Sequence, residues 1–273
     1  GDLRAPGRRL ADTDGWGWDA TGGVGLGGGW GHAAVTAGRV EAGYGIPGGF
    51  LGGHPNGVDI ELERTRVDGV VELERPMRGL ADLRVTSSTK SYYHRELESS
   101  GVCGVAFGLV THDVGVQARL DGGAVVGLSG QYRDFDTACL SFVPRTEETS
   151  LGAYLWDRWR PGRFELQAAL RWDQRRVAPA VVDSNKAGVI RTRRFNGASA
   201  SVSVAWPRDA AHGFGGSLTR SFQPPAIEEL FAEGPHLAAY SYEIGNADLD
   251  SERGLGWELE YRLQLPSVHG TVA

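Results

Sequence analysis

The residues of this chain best suited to chemistry are three histidines and a scatter of carboxylates. His54, His94 and His236 each fall in or beside an expected long loop, with Glu96, Glu98 and Glu243 as acids that could join them. Neutral imidazole is the commonest metal ligand, and nearby carboxylates can complete a site for a divalent ion. The spacing matches no local ligand motif. A metal site built from His94, Glu96 and His236 would therefore be assembled from separate loops. The same residues also read as ordinary polar surface groups, and both readings stand. Arg191, Arg193, Arg194 and Arg220 could form a basic mouth for an anionic ligand. Arginines that face a lumen and pair with its acids look the same in sequence. Tyr93, beside His94, completes a candidate ligand-binding set of His54, Tyr93, His94, Glu96, Arg220, His236 and Glu243. The remaining histidines, His32, His112, His212 and His269, read as ordinary polar residues.

Other chemistries find less support. No G-x-S-x-G elbow is present and no Ser–His–Asp order stands out, so an enzyme is not expected. The run Gly22-Gly23-Val24-Gly25-Leu26-Gly27-Gly28-Gly29 lacks the Lys-Ser/Thr and the helix of a phosphate loop. Small residues on a curved strand and its turn explain it better. Nothing calls for a cofactor. The net charge is −6 with no basic stripe, which argues against nucleic acid. Cys103 and Cys139 allow two readings, a pair of free thiols or a disulfide in an oxidising compartment.

The elements that must position these groups are strands. Phe164, Leu166, Ala168, Leu170 and Trp172 alternate with polar residues, and so do Leu255, Trp257, Leu259, Tyr261, Leu263 and Leu265. The full pattern predicts strands at Gly15–Gly27, Gly31–Gly43, Val58–Arg75, Ala81–Glu98, Cys103–Leu120, Ala124–Phe135, Glu147–Trp159, Arg163–Val177, Arg194–Trp206, Gly213–Phe222 and Arg253–Leu265. A single helical turn is expected at Ala226–Phe231. Short and long connections alternate, the plan of an up-and-down transmembrane β-barrel with short turns on one rim and long loops on the other. Many strands exceed the roughly 9–11 residues that cross a bilayer. No apolar run is long enough for a membrane helix. Trp156, Trp159, Trp172, Trp206 and Trp257 lie toward strand ends, as interface aromatics do; a β-sandwich core would use them otherwise. Glu61, Glu63, Glu72 and Glu74 are expected to face the lumen.

In two strands the apolar set changes phase, from Val58, Ile60 and Leu62 to Val71 and Leu73, and from Val105, Phe107 and Leu109 to Val114, Val116 and Ala118. A bulge or an exit from the membrane zone would do this. Eleven strands cannot close an even-numbered barrel. Open edges in lipid would cost on the order of tens of kcal/mol in unpaired backbone groups. The expectation is an incomplete barrel, about half of a larger one, with neither a signal peptide nor a plug domain in residues 1–273.

Four patches, in order, resemble the TonB-dependent outer-membrane receptors, and within them the zinc and metal-uptake branch. They are Tyr44-Gly45-Ile46-Pro47; Val58 to Glu63 with Arg66 and Asp68; Tyr92 to Glu98 followed by Gly104 and Phe107; and Phe222 to Asn246. The last contains Pro225, Glu228, Leu230, Phe231, Gly234, Pro235, His236, Glu243, Gly245 and Asn246. The resemblance covers nearly the whole chain. It implies a 22-stranded barrel with an N-terminal plug, set in the outer membrane lipid of a Gram-negative bacterium. It implies uptake of a scarce metal, a metal chelate such as a siderophore, or haem, energised by the TonB complex of the inner membrane. A non-coupled channel or adhesin barrel is the alternative. The chain shows no plug, no energy-coupling box and no terminal aromatic strand.

Overall fold

A computed structural model describes residues 4–6, 8–10, 12–48, 57–236, 241–265 and 268–272. A small hairpin, β1 (Arg4–Ala5) and β2 (Arg8–Arg9), comes first. The wall begins with β3 (Gly15–Gly28), β4 (Gly31–Ile46), β5 (Val58–Glu74), β6 (Leu80–Glu98), β7 (Cys103–Leu120), β8 (Val125–Cys139), β9 (Thr146–Trp159) and β10 (Glu165–Pro179). The hairpin β11 (Asp183–Asn185) and β12 (Gly188–Ile190) rises from the next loop. The wall resumes with β13 (Arg193–Pro207) and β14 (His212–Gln223). Helix α1 (Ile227–Phe231) and the hairpin β15 (Glu233–His236) and β16 (Ser241–Ile244) follow, then β17 (Glu252–Leu265) and β18 (Val268–Val272).

Among the described residues the wall is one 12-stranded antiparallel meander from β3 to β18, open at both edges. All eleven expected strands are present. The twelfth, β18, pairs Val268 to Val272 with the end of β17. The expected turn at Ala226–Phe231 is α1.

The two faces differ as a barrel wall requires. One carries Leu26, Val35, Val85, Val114, Leu128, Leu155, Leu170, Val202 and Leu259, all exposed. The other carries ion pairs such as Arg66–Asp68 at 2.6 Å and Lys90–Asp113 at 3.0 Å. Near the short turns, Phe164, Trp206, Phe214 and Tyr261 run in ring contact across the apolar face at 5.2–6.0 Å, an interface belt. Trp156 departs from that expectation. It opposes Ala169 and takes the polar face, because its parity differs from that of Leu155.

Both phase changes have the same cause, and it is not a bulge. The ladders of β5 with β4 and β6, and of β7 with β8, run unbroken through them. Phe107 and Leu109 share the inner face with Phe135, below the loops, where they pack on a buried cluster. Farther down, the outer face becomes the apolar one. Apolar residues follow the dry side, which is inward under the loops and outward in the bilayer zone. The same switch corrects a second expectation. Glu61 and Glu63 have the parity of Val67 and Val71 and face outward near the loop rim; Glu72 and Glu74 face inward.

Placing an arginine on each of the two faces separates them. Leu259→Arg is expected to cost roughly 2–4 kcal/mol at mid-bilayer depth. Glu260→Arg, on the polar face of the same strand, should cost under about 1 kcal/mol. Urea titration in lipid vesicles, followed by tryptophan fluorescence, reads both; equal costs would contradict the orientation.

Cys103 and Cys139 form a disulfide, with Cα atoms 6.0 Å apart, which settles the open alternative. The bridge fastens the loop-side ends of β7 and β8. The ladder already holds these strands from Val105↔Cys139 downward. Chain-entropy gain should therefore sit at the low end, about 2 kcal/mol. A Cys103→Ser/Cys139→Ser variant should show that loss in the same titration.

Candidate ligand vestibule

Three of the long loops are folded into one body on the inner side of the rim. Its centre is α1. Pro224-Pro225 hold the approach extended, and the Glu229 carboxylate accepts the Ala226 N–H at 2.7 Å, half of a capping box. Ile227, Leu230 and Phe231 then point into a core with Val143, Ile190 and Ala247 from the loops and Phe135, Val177 and Phe195 from the wall. Leu230 and Phe231 are 0% exposed. Phe222 packs against the edge of this core.

Backbone bonds lock the loops together. Glu233 N–H donates to the Phe142 carbonyl at 2.8 Å, Ala247 N–H to Ala187 at 2.7 Å and Asn246 N–H to Glu229 at 2.7 Å. Arg193 clamps the returning segment through the carbonyls of Ala247 and Leu249, and Arg191 pairs with Asp248 at 2.6 Å. These two arginines are consumed in holding loops, not in forming a basic mouth. Gly245 has a structural reason: a Cβ there would lie 2.8–2.9 Å from the α1 backbone. At Gly234 a Cβ would collide with that of Phe142.

Beneath this cap, the inner wall carries a line of rings. Tyr92 lies edge-on to His94, and Phe107 and Phe142 continue the line at 5.2 and 6.0 Å. The His94 Nδ1 is 3.0 Å from the Tyr92 hydroxyl, and its Nε2 is 3.6 Å from a Glu96 carboxylate oxygen. Next to this line, Glu148 is buried at 2% exposure between Arg133 at 2.7 Å and Arg175. Sequence reasoning missed this triad; the parity of Leu151 and Leu155 places Glu148 inward, but only the register brings the two arginines to it.

Of the candidate ligand residues, the fold joins His94 and Glu96. It separates others. Tyr93 faces outward opposite Glu63 and Gly108, and Arg220 faces outward opposite Ala200 and Leu255. Glu243 and His236 stay near each other but in another element, as diagonal neighbours of the β15–β16 hairpin, with Glu243 opposite Gly234 and His236 opposite Ser241. His54 lies outside the described residues. Among the described residues no group of three or more His, Cys, Asp or Glu is placed to hold a metal ion. Tyr44 and Gly45 end β4, where Gly45 N–H donates to Asp14 at 2.9 Å and a Cβ would strike Asp12; Pro47 follows.

Residues 2–273 match the family described as TonB dependent receptor-like, beta-barrel. The chain belongs to the TonB-dependent receptors. Solved structures agree on the fold of this receptor wall. The copper transporter OprC superposes with a TM-score of 0.72 at 14% identity, covering 97% of this chain and 45% of that one. The Serratia marcescens hemophore receptor HasR, a double mutant bound to its hemophore HasA and heme, gives 0.69 at 17%, covering 96% and 44%. The FrpB iron transporter of Neisseria meningitidis (F3-3 variant) gives 0.68 at 12%, covering 95% and 45%. The receptor segment thus spans under half the length of each. No curated protein sequence matches it.

Proposed function

We propose that residues 1–273 form one barrel domain, part of the wall of an outer-membrane importer that captures a metal chelate or haem on its outer side. The observation that carries this reading is the inward-folded loop body seated over a ring-lined wall with His94 and Glu96. A bare ion would need more donors than that pair provides. A chelate or haem brings most of its own ligands and offers flat apolar surface to Tyr92, Phe107 and Phe142. The named cargoes of similar structures, copper, heme and iron, support metal-linked uptake as the class. Energy from the TonB complex, delivered through a plug, is the family expectation. No enzymatic step is part of the reading.

The test is ligand binding and uptake by the intact receptor in a host lacking its own importers. Haem and ferric siderophores should bind in the micromolar range or tighter and require TonB for entry. His94→Ala should weaken binding roughly tenfold, the size of one lost directed contact. Tyr93→Ala, on the opposite face, should leave it unchanged. Uptake that persists without TonB would favour a passive channel; equal effects of the two substitutions would remove the vestibule from the binding path.

A further inference from the structure

Below the loop body, two large side chains lie flat on the inner wall, each across a glycine. Both face inward, by parity opposite to Leu155 and Leu170. Tyr154 of β9 stands directly opposite Gly127 of β8 in the ladder. Its ring crosses that strand, and its hydroxyl donates to the Gln117 side-chain oxygen on β7 at 3.0 Å. Arg171 of β10 does the same one strand along. It crosses β9 at Gly152 and donates to the Ser129 hydroxyl of β8 at 3.1 Å, and to the Asp173 carboxylate of its own strand at 2.8 Å. Its guanidinium carbon lies 5.9 Å from the Tyr154 ring centre. A Cβ at Gly127 would collide with the Tyr154 ring, and one at Gly152 with the Arg171 guanidinium. Neither glycine takes a positive φ, so the backbone itself does not call for one.

The smooth panel so made leads toward the short turns. Beyond Arg171 the inner positions are short: Ser201 and Ser203 on β13 stand opposite Thr219 and Ser217 on β14. Two hollows follow. The upper, about 240 Å³, is lined by Gln167, Ser203, Ser217 and Glu258; the lower, about 430 Å³, by Asp209, Gly213, Arg262 and Gln264. Both also touch Glu165, Ala205, Gly215 and Glu260, so they run into one groove. The inner face of β5, β6 and β7 is different. Over the same range of depth it carries long charged chains in pairs, Arg84 with Glu72, Lys90 with Asp113 and Arg119 with Asp82.

We propose that cargo crosses the lumen along this lane, over the flattened Tyr154 and Arg171 and down the β13–β14 groove, and that Gly127 and Gly152 hold the lane open. It begins two inward positions below Glu148, at the floor of the vestibule. The inference rests on the vestibule reading for what enters, and on the wall alone for where it passes. A passage must release its cargo as well as admit it. Serine and threonine hydroxyls offer a chelate or haem single neutral hydrogen bonds, whereas a free guanidinium facing the lumen would hold its charged arms. Asp173 and Ser129 keep Arg171 from doing so.

The experiment uses the intact receptor in the importer-deficient host, with haem and a ferric siderophore as cargo. Gly127→Ala forces the Tyr154 ring off the wall, and Gly152→Ala does so to Arg171. Each should slow uptake about tenfold, one modest step in a barrier, while affinity for the cargo stays within about twofold of wild type. Gly127→Ala/Tyr154→Ala should regain the wild-type rate, which a glycine needed by the wall itself would not allow. Gly25→Ala, on the inner face of β3, displaces no long side chain and should change nothing. Unchanged uptake in both single variants would overturn the proposal, and so would a double variant as slow as Gly127→Ala. Entry of vancomycin into cells carrying Gly127→Ala would overturn it too, because the panel would then be a seat that the plug needs. If wild type binds neither cargo, the vestibule reading falls and conductance decides the lane. In planar bilayers with the plug loosened by urea, Gly127→Ala should pass less current than wild type or the double variant; equal currents overturn the lane. Heat-dependent electrophoretic mobility confirms folding. Gly152→Ala and Gly152→Ala/Arg171→Ala carry the test should Gly127→Ala not fold.

Discussion

Phe231→Ala is expected to cost about 3–5 kcal/mol, the range for emptying a fully buried aromatic site. The ring is completely enclosed by residues from three loops and the wall, so no single neighbour can collapse into the space. Its carbonyl also receives the Asn185 side-chain amide at 3.3 Å, which ties α1 to the β11–β12 loop. The loss should be local. The wall keeps its strand ladders, while the loop body loses its centre. Hydrogen exchange resolves the two: amides of 226–236 and 241–249 should exchange much faster, and those in the β13–β14 ladder should not change. Unaltered exchange in the loops would show that the body does not rest on this core. Exchange that accelerates everywhere would show that loops and wall are a single unit.

Glu148→Ala should destabilise the wall itself, by about 3 kcal/mol. Removing one partner from a buried ion pair typically costs 3–5 kcal/mol, because a charge is left without compensation. Here two guanidinium groups are left, Arg133 and Arg175, side by side on the inner face. Their side chains keep 31% and 18% of their exposure, so water offsets some of the penalty and the lower end applies. Glu148→Gln should be nearly as damaging, since the amide keeps the volume but not the charge. Arg133→Met/Glu148→Leu/Arg175→Met should recover most of the loss, because a matched apolar set can replace a buried charge cluster. Urea midpoints of the folded receptor measure all three. A Glu148→Ala variant within 1 kcal/mol of wild type would mean the arginines find other anions.

Much of the wall was legible because alternation is a local property. Phe164 to Trp172 and Leu255 to Leu265 declare a strand within one window, and the meander follows from turn spacing. What alternation cannot fix is which face is the dry one. In β5 the parity of Ile60 and that of Val71 both look apolar, and the answer changes along the strand as it leaves the bilayer. That is why Glu61 and Glu63 were expected inward and stand outward. Residue type alone puts Arg220 with Arg193 in one basic mouth; on folding, one faces the lipid side and the other grips Ala247 and Leu249. The motif residues Gly234, Gly245, Leu230 and Phe231 were recognised as a pattern, but their job, interlocking three loops, depends on contacts between segments far apart in the chain. The buried Glu148 was invisible for the same reason.

The interlocked loop body also sets how this protein should respond to warming. Segments that share one core open together or not at all, with their own free energy distinct from that of the ladders beneath. A core of this size melts in a narrower free-energy margin than a long antiparallel wall. On heating, cargo capture should therefore fail at a temperature where the wall still stands, and cooling should restore it without any need to reinsert the protein. The receptor would have a functional melting point and a structural one, and the gap between them is held by a handful of side chains around α1.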